Sequence, residues 1–226
     1  MVYLVFFLLL LGLLLGPNLW VKNVLKRYSQ PREDLPGTGG ELAHHLVKGF
    51  KLATDVKSDG LPDRFDPTTN TVFLTADNMQ GKSLTAVATA AHEVSHALQF
   101  AQQDSRLENR TRMVLAAQYF EKAAQFSLVL IPVFTLVPGL VVFSKILLFP
   151  VILSIFMSTI VHMLTLPVEL DASFNKALPI LKEGNYLSEK DLTIARKILR
   201  ACALTYVSSA AVSVLNLSRL LRILRR

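Results

Sequence analysis

Residues 83–104 read SLTAVATAAHEVSHALQFAQQD, and this stretch decides both the fold and the chemistry. It is rich in alanine, and it contains neither glycine nor proline. We therefore predict a helix from about Ser83 to Asp104. Because most of its side chains are small, we expect neighbouring elements to pack closely around it.

Inside this helix lies the motif His92-Glu93-Val94-Ser95-His96. Two histidines four residues apart lie one turn apart on the same side of a helix, so both imidazoles can reach one metal ion. A glutamate directly after the first histidine can act as general base on a zinc-activated water, and it can pass the proton to a leaving amine. The motif predicts one Zn²⁺ held by His92 and His96, with Glu93 as the catalytic residue. A pair of ordinary core or surface histidines is the alternative.

Two histidines leave such a site incomplete, because catalytic zinc usually has three protein ligands and an open position. Positions 97–103 contain no histidine, so the third ligand has to come from elsewhere. The best candidate is Glu169 in the segment LPVELDAS at 166–173. Asp171 is an alternative ligand, or it orients a histidine from behind. Both carboxylates could instead form a solvated first turn of a helix that begins near Pro167.

The composition is that of a membrane protein. Hydrophobic residues make up 51% of the 226 residues, charged residues only 18%, and the mean hydropathy is +0.40. The net charge of +7 comes partly from basic residues that flank apolar segments, where they determine topology or contact lipid headgroups. Without a recognised basic and aromatic module this charge does not predict nucleic-acid binding. A single cysteine, Cys202, excludes an intramolecular disulfide and a cysteine zinc cluster.

The apolar runs predict about four transmembrane helices. The run at 127–166 has Lys145 as its only formally charged residue and is too long for one span, so we predict a hairpin that turns near Ser144-Lys145. A hairpin returns the chain to the side it left, which lets Glu169 rejoin the histidines. The predicted parts are an N-terminal anchor at 1–20, a water-exposed metallopeptidase domain at 21–126, the hairpin at 127–166, a helical segment with the third ligand at 167–200, and a C-terminal membrane helix with a basic tail at 201–226.

Basic residues suggest the orientation. Lys22, Lys26 and Arg27 directly follow the first apolar run, whereas nothing basic precedes it, so we predict a cytoplasmic catalytic domain. The tail that contains Arg219 and Arg226 disagrees, because a fourth crossing would place it outside. It could instead lie in the interface as an amphipathic end.

Two further segments bear on function. The short predicted strand at 70–75 precedes the motif helix, and an exposed strand edge there could pair with a substrate backbone; an ordinary sheet strand is the alternative. Between 167 and 200 the pattern Ser188-Glu189-Lys190-Asp191 predicts the start of another helix, capped by Ser188.

Three stretches together resemble the bacterial neutral zinc metallopeptidases, the YugP-type membrane proteases. They are 85–99 around the motif, 166–173 with Glu169, and the segment ALTYV at 203–207. The resemblance covers nearly the whole chain, and it implies a zinc-dependent membrane peptidase with Glu169 as a ligand. The chain departs from the family pattern at Ser95, where glycine is usual, and at Arg64, where histidine is frequent. Arg64 and Tyr206 are candidates for contacts with an oxyanion or a substrate; a surface arginine and an interfacial tyrosine are the alternatives.

The sequence therefore predicts a mainly α membrane protein with a small α+β zincin-like catalytic domain of the gluzincin type. We expect a multi-pass protein of the bacterial cell membrane that hydrolyses membrane-associated or misfolded proteins. Its partners would be protein or peptide substrates and the lipid bilayer. A non-catalytic scaffold or chaperone braced by zinc is one alternative, against which Glu93 argues because a structural site needs no general base. A zinc hydrolase of a non-peptide substrate is the other.

Overall fold

The structure, a computed structural model, describes residues 16–203. About 72% of these residues are helical, which confirms the prediction of a mainly α protein. The chain divides into two compact units: one contains the described residues up to Asp104 and from Pro167 onward, and the other contains Ser105–Leu166. The five-part division made from the sequence stays a prediction.

The first unit is built around the motif helix. Its elements are α1 at 16–27, α2 Gly39–Gly49, β1 Asp55–Lys57, β2 Arg64–Asp66, β3 Thr71–Phe73, α3 Ala76–Gln80, α4 Leu84–Ala101, the end of α7 Leu148–Leu170, a π-helical segment Asp171–Ala177, α8 Leu178–Glu183 and α9 at 189–203. Ser188 accepts a hydrogen bond from the backbone N–H of Asp191 at 3.2 Å, so the predicted cap of α9 is confirmed.

Helix α4 lies in the core of this unit and has the bounds that its sequence predicts to within three residues. The Ser83 hydroxyl accepts a hydrogen bond from the N–H of Ala86 at 3.1 Å and so caps the helix. Ala88, Ala90, Ala91 and Ala97 have no exposed surface. Their small side chains let the backbones around α4 come close, as expected.

Two glycines of α2 show how close this packing is. A Cβ on Gly39 would lie 2.4 Å from the carbonyl oxygen of Asn78 and 2.7 Å from that of Ala86, and one on Gly40 would lie 2.6 Å from the carbonyl oxygen of Met79. Only glycine permits such a backbone approach. These two glycines therefore let α2 pack directly against α3 and α4.

The sheet has three strands in the order β1-β3-β2. Strand β3 corresponds to the predicted strand at 70–75, and it pairs in parallel with β1 and in antiparallel with β2. Both edges of β3 are thus already hydrogen-bonded, so the idea that this strand offers an edge to a substrate is wrong and it is an ordinary central strand. Strands β1 and β2 are not apparent from the sequence, because the Asp, Gly and Pro residues of 55–69 are typical of turns.

Glu169 lies near the end of α7, between two irregular features of the helix. Pro167 is inside α7 and not near a helix start, which corrects the prediction; the helix passes through it although proline cannot donate a backbone hydrogen bond. Directly after Leu170 the backbone widens into the π-helical segment. Single π turns inside helices often occur at functional sites.

The second unit contains α5 Ser105–Leu136, α6 Val141–Ile146 and the first part of α7. The turn predicted near Ser144-Lys145 falls instead at 137–140, where Pro138 cannot continue the ladder of α5 and Gly139 adopts a φ of 87°. Lys145 lies within α6. The pair Pro138-Gly139 thus predicts the position of the turn better than the single charge of Lys145 does.

Within residues 16–203, one helical stretch is long and apolar enough for a bilayer by length and composition: Val141–Glu183, with a mean hydropathy of 2.2 in its best 18-residue window. The apolar part of α5 is shorter than this stretch, because it begins only after the charged residues Glu121 and Lys122 and ends with the helix at Leu136. The expected four spans therefore stay a prediction. Residues 1–15 of the predicted anchor, and 204–226 of the predicted C-terminal helix and tail, lie outside the described residues.

Candidate metal centre

The imidazole rings of His92 and His96 pack edge to face on the buried side of α4. Their ring centroids are 4.7 Å apart and the rings are inclined by 80°. His92 is 4% exposed and His96 is 8% exposed. This is the arrangement expected of two imidazoles one helical turn apart that point at a common position.

Glu169 completes the cluster from α7. Its Oε2 atom lies 3.2 Å from Nε2 of His92 and 3.3 Å from Nε2 of His96. One candidate donor atom from each residue can be chosen so that all three lie within 4.8 Å of one another. Residues separated by about 75 positions in the chain thus converge at one point, as the sequence analysis expected of Glu169.

The chemistry of this cluster fits a zinc ion. The carboxylate of Glu169 is 2% exposed, and burying a negative charge is costly unless a cation compensates it. Burial alone would lower the pKa of His96, but the charge of Glu169 and the hydrogen bond to it raise that pKa to about 9. The position between the three side chains therefore attracts positive charge. Two imidazole nitrogens and one carboxylate oxygen form a usual ligand set of catalytic zinc.

Gln99 orients His96 from behind. Its Oε1 lies 2.9 Å from Nδ1 of His96, while its Nε2 donates to the carbonyl of Val168 at 3.1 Å and to Oδ2 of Asp171 at 2.8 Å. Because the last two groups can only accept, the amide orientation is fixed and Oε1 must accept from Nδ1–H. The lone pair of the neutral imidazole is then on Nε2, which faces Glu169.

His92 has an analogous partner. The hydroxyl of Ser173 lies 3.2 Å from Nδ1 of His92 and donates to the carbonyl of Leu199 at 3.4 Å. With its single proton given to Leu199, the hydroxyl accepts from Nδ1–H and leaves the Nε2 lone pair toward the cluster. In their neutral forms, both histidines are therefore held in the tautomer that a metal ligand requires.

Glu93 is buried beside the cluster, with 7% of its surface exposed. Burial raises the pKa of its carboxyl group; Glu169 and Asp63 add to this, and the two motif histidines oppose it. A carboxyl group with a raised pKa can both accept and return a proton nearer neutral pH. This is the property that the predicted general base needs.

A cavity of about 570 Å³ opens from the cluster and lies within the first unit. Glu93 and His92 line one part of it and Asp63 lines another. The carboxylate of Asp63 accepts hydrogen bonds from the N–H of Thr75 at 2.6 Å and from Nδ2 of Asn78 at 2.7 Å. These bonds fix the loop before β2 against the start of α3, so this wall of the cavity is firmly held.

The other candidate site residues lie in different positions. Asp171 lies behind Gln99, and it also accepts from Asn175 at 3.1 Å. Arg64 on β2 pairs with Asp59 and has its guanidinium 4.3 Å from the ring centre of Phe73, so it has structural partners of its own. The predicted contact of Arg64 with an oxyanion or substrate stays a prediction. Tyr206 lies outside the described residues.

Gln99 and Ser173 are two site residues that were not predicted from the sequence. The position of Gln99 in the sequence could have indicated its role. A residue three positions after His96 lies on the same side of the helix, and an amide there can reach Nδ1 of His96. Ser173 had no such signal in the sequence, because its place beside His92 depends on the π-helical widening and on how the π-helical segment packs on α4.

We expect Gln99→Leu to weaken zinc binding by about 10- to 100-fold, the usual cost of losing a group that orients a ligand. The change removes three buried hydrogen bonds and frees the ring of His96. Competition with a zinc-chelating dye measures the affinity. Gln102→Leu is the matched control, since Gln102 is an exposed residue just after the same helix.

Gln99→Glu separates the acceptor role of Gln99 from its donor role, because a carboxylate still accepts from His96 Nδ1–H but cannot donate to Val168 or to Asp171. We expect it to restore part of the affinity and to keep the Nδ1–H tautomer of His96 in ¹⁵N NMR spectra. Equal affinity in the wild type and Gln99→Leu would contradict the orienting role.

Buried His, His and Glu donors, a second glutamate beside the first histidine and an adjoining cavity together define the class of zinc metallopeptidase-like sites. The comparisons with known proteins agree. Residues 3–225 match the model of the family described as "Putative neutral zinc metallopeptidase", and the chain belongs to this family.

One relative is the protein of Bacillus subtilis (strain 168) named "Putative membrane protease YugP". It is 29% identical over 220 residues, which cover 92% of each chain. No solved structure matches the chain. The family resemblance drawn from the sequence is therefore confirmed.

Proposed function

We propose that this protein is a membrane-embedded zinc endopeptidase that hydrolyses peptide bonds of membrane-associated or misfolded proteins. His92, His96 and Glu169 would hold one Zn²⁺, and Glu93 would be the general base. The observation that carries the proposal is the convergence of three buried donor atoms beside Glu93. The family and the name of the relative support it.

When bound, zinc supplies Lewis-acid chemistry, because it polarises a carbonyl and lowers the pKa of a water molecule. The side chains do the rest. Gln99 and Ser173 keep the Nδ1 protons of the histidines and so direct both Nε2 atoms to the ligand position. Glu93 takes a proton from the attacking water and delivers it to the nitrogen of the leaving amine. The contacts of Asp171 support an orienting role through Gln99.

The arrangement argues against a purely structural zinc site. Structural sites usually close with four protein ligands, whereas among residues 16–203 three donors converge here and a cavity adjoins them. A scaffold would also have no use for a buried glutamate with a raised pKa. The alternative of a non-peptide hydrolase has no observation of its own to favour it.

The proposed membrane arrangement follows the apolar segments. The anchor at 1–20, the two arms of 127–166 and the helix after Ala201 would span the bilayer, with the catalytic unit on the cytoplasmic side. The apolar stretch that starts at Val141 supports one of these spans, since only 6% of its best window is buried. Exposed apolar side chains along α5 and α7 would face lipid, for example Val129, Val133, Phe149 and Met163.

The proposal predicts metal-dependent peptidase activity. The purified full-length protein in detergent should contain one zinc per chain and cleave unfolded casein. Removal of the zinc with a chelator should abolish cleavage, and one equivalent of zinc should restore it. Undiminished cleavage by protein shown to be free of metal would overturn the proposal.

A further inference from the structure

The cavity beside Glu93 is a groove along α4. Thr85, Thr89, His92 and Glu93 line it, and these residues follow one another on one face of the helix. From Thr85 to Glu93 the helix rises by about 12 Å. An extended peptide advances about 3.3 Å per residue, so the groove offers room for three to four substrate residues on one side of the scissile bond.

The opposite wall is the end of α1, where Lys26 and Ser29 also line the groove and the part that precedes them is apolar. Val21 and Leu25 line the groove there. Helix α1 is fixed in place, because the hydroxyl of Thr85 donates to the carbonyl of Leu25 at 2.9 Å and the N–H of Thr85 donates to the carbonyl of Tyr28 at 3.1 Å. The groove therefore has an apolar part of its wall, positioned by two hydrogen bonds, that belongs to the helix leading out of the predicted anchor.

The same helix shows where the bilayer would end. Leu19 is 58% exposed and Trp20 is 36% exposed, and the exposed Lys22, Lys26 and Arg27 follow within two turns. An aromatic residue followed by basic residues is typical of a membrane–water interface. Val21 is the next residue after Trp20, so the wall of the groove begins where the apolar segment ends.

The distances limit how far the reaction can lie from the membrane. Leu25, whose carbonyl accepts from the Thr85 hydroxyl, is about 7.5 Å along α1 from Trp20, and Glu93 is about 12 Å along α4 from Thr85. With the hydrogen-bonded contact between the two helices included, Glu93 is within about 24 Å of the level of Trp20, and an extended chain covers this distance in about seven residues.

We infer that the groove between α1 and α4 binds the segment of a bilayer-anchored substrate just outside the membrane, and that the enzyme cuts such substrates within about seven residues of the boundary. An apolar substrate side chain packs against Val21 and Leu25. This inference rests on the proposed peptidase activity and names its substrate class.

Substrates with inserts of different length at the membrane boundary test the substrate class. The full-length protein is reconstituted in liposomes with substrates that carry one transmembrane helix followed by a uniform cleavable repeat, with 0, 5 or 10 residues inserted at the boundary. We expect the cleaved bonds, mapped by mass spectrometry, to stay within about seven residues of the membrane in all three substrates, and the soluble repeat to be cleaved at least 10-fold more slowly.

Three outcomes are distinguishable. Cleavage that moves outward with the inserts, or equal rates for soluble and anchored repeats, would overturn the inference and leave the peptidase activity intact. Cleavage of none of these substrates, nor of casein, by zinc-loaded protein would overturn the proposed function itself.

Leu25→Ala tests the apolar wall. It removes side-chain volume from the groove and should shift the cleaved sites toward larger apolar residues, with the zinc content unchanged. Leu52→Ala is the matched control, because Leu52 is also half-buried against the same hydrophobic core but does not line the groove. An identical cleavage profile for wild type, Leu25→Ala and Leu52→Ala would show that α1 does not contact the substrate.

Discussion

Glu93→Gln is expected to lower the rate of peptide cleavage by about 10²- to 10⁴-fold while the protein keeps its zinc, because removal of a general base costs this much. The amide has nearly the same shape as the carboxyl group but cannot accept the proton of the attacking water. Since Glu93 is not among the three converging donors, its loss leaves the metal ligands in place. Parallel measurements of zinc content and of casein cleavage check both halves of this prediction.

Glu183→Gln is the control for this experiment. Glu183 is an exposed residue at the end of α8 in the same unit, so the same substitution there should change neither property. Activity at the wild-type level in Glu93→Gln would eliminate the mechanism. Loss of zinc together with activity would instead make Glu93 a ligand.

Glu169→Ala is expected to weaken zinc binding by more than about 100-fold, which is beyond the effect of losing an orienting group. The change removes the one negatively charged donor of the cluster and leaves two neutral imidazoles. Cleavage should be lost at low zinc concentration, and it should not return when zinc is added at the level that saturates the wild type. Titration of metal-free protein with zinc measures the change.

Asp171→Asn serves as the comparison for Glu169→Ala. Asp171 contacts Gln99 and Asn175 but is not one of the three converging donors, so its zinc affinity should fall far less. Full zinc occupancy in Glu169→Ala, combined with loss in Asp171→Asn, would exchange the roles of these two carboxylates.

The sequence predicted the parts of the site that local geometry determines. The spacing of His92 and His96 on a helix is enough to bring two imidazoles together, and a zinc site needs a third ligand, which pointed to Glu169. The structure places that residue at the histidines. Gln99 was within reach of the same reasoning, since it follows His96 by three positions on α4.

Features that depend on tertiary contacts were not predictable in this way. Strands β1 and β2 are only three residues long each, and they form because β3 lies between them. The turn of the second unit follows the backbone preferences of Pro138 and Gly139 and not the lone charge of Lys145. Helix α7 continues through Pro167 into a π-helical segment, and this continuation depends on tertiary packing. The π-helical segment in turn determines where Ser173 lies.

The most direct test of the account is X-ray absorption at the zinc edge of the purified wild-type protein. We predict nitrogen and oxygen ligands at about 2.0–2.2 Å, with outer-shell scattering from two imidazoles. A sulfur ligand at about 2.3 Å, which would bring Cys202 into the site, or a spectrum without imidazole scattering, would contradict the ligand set of His92, His96 and Glu169.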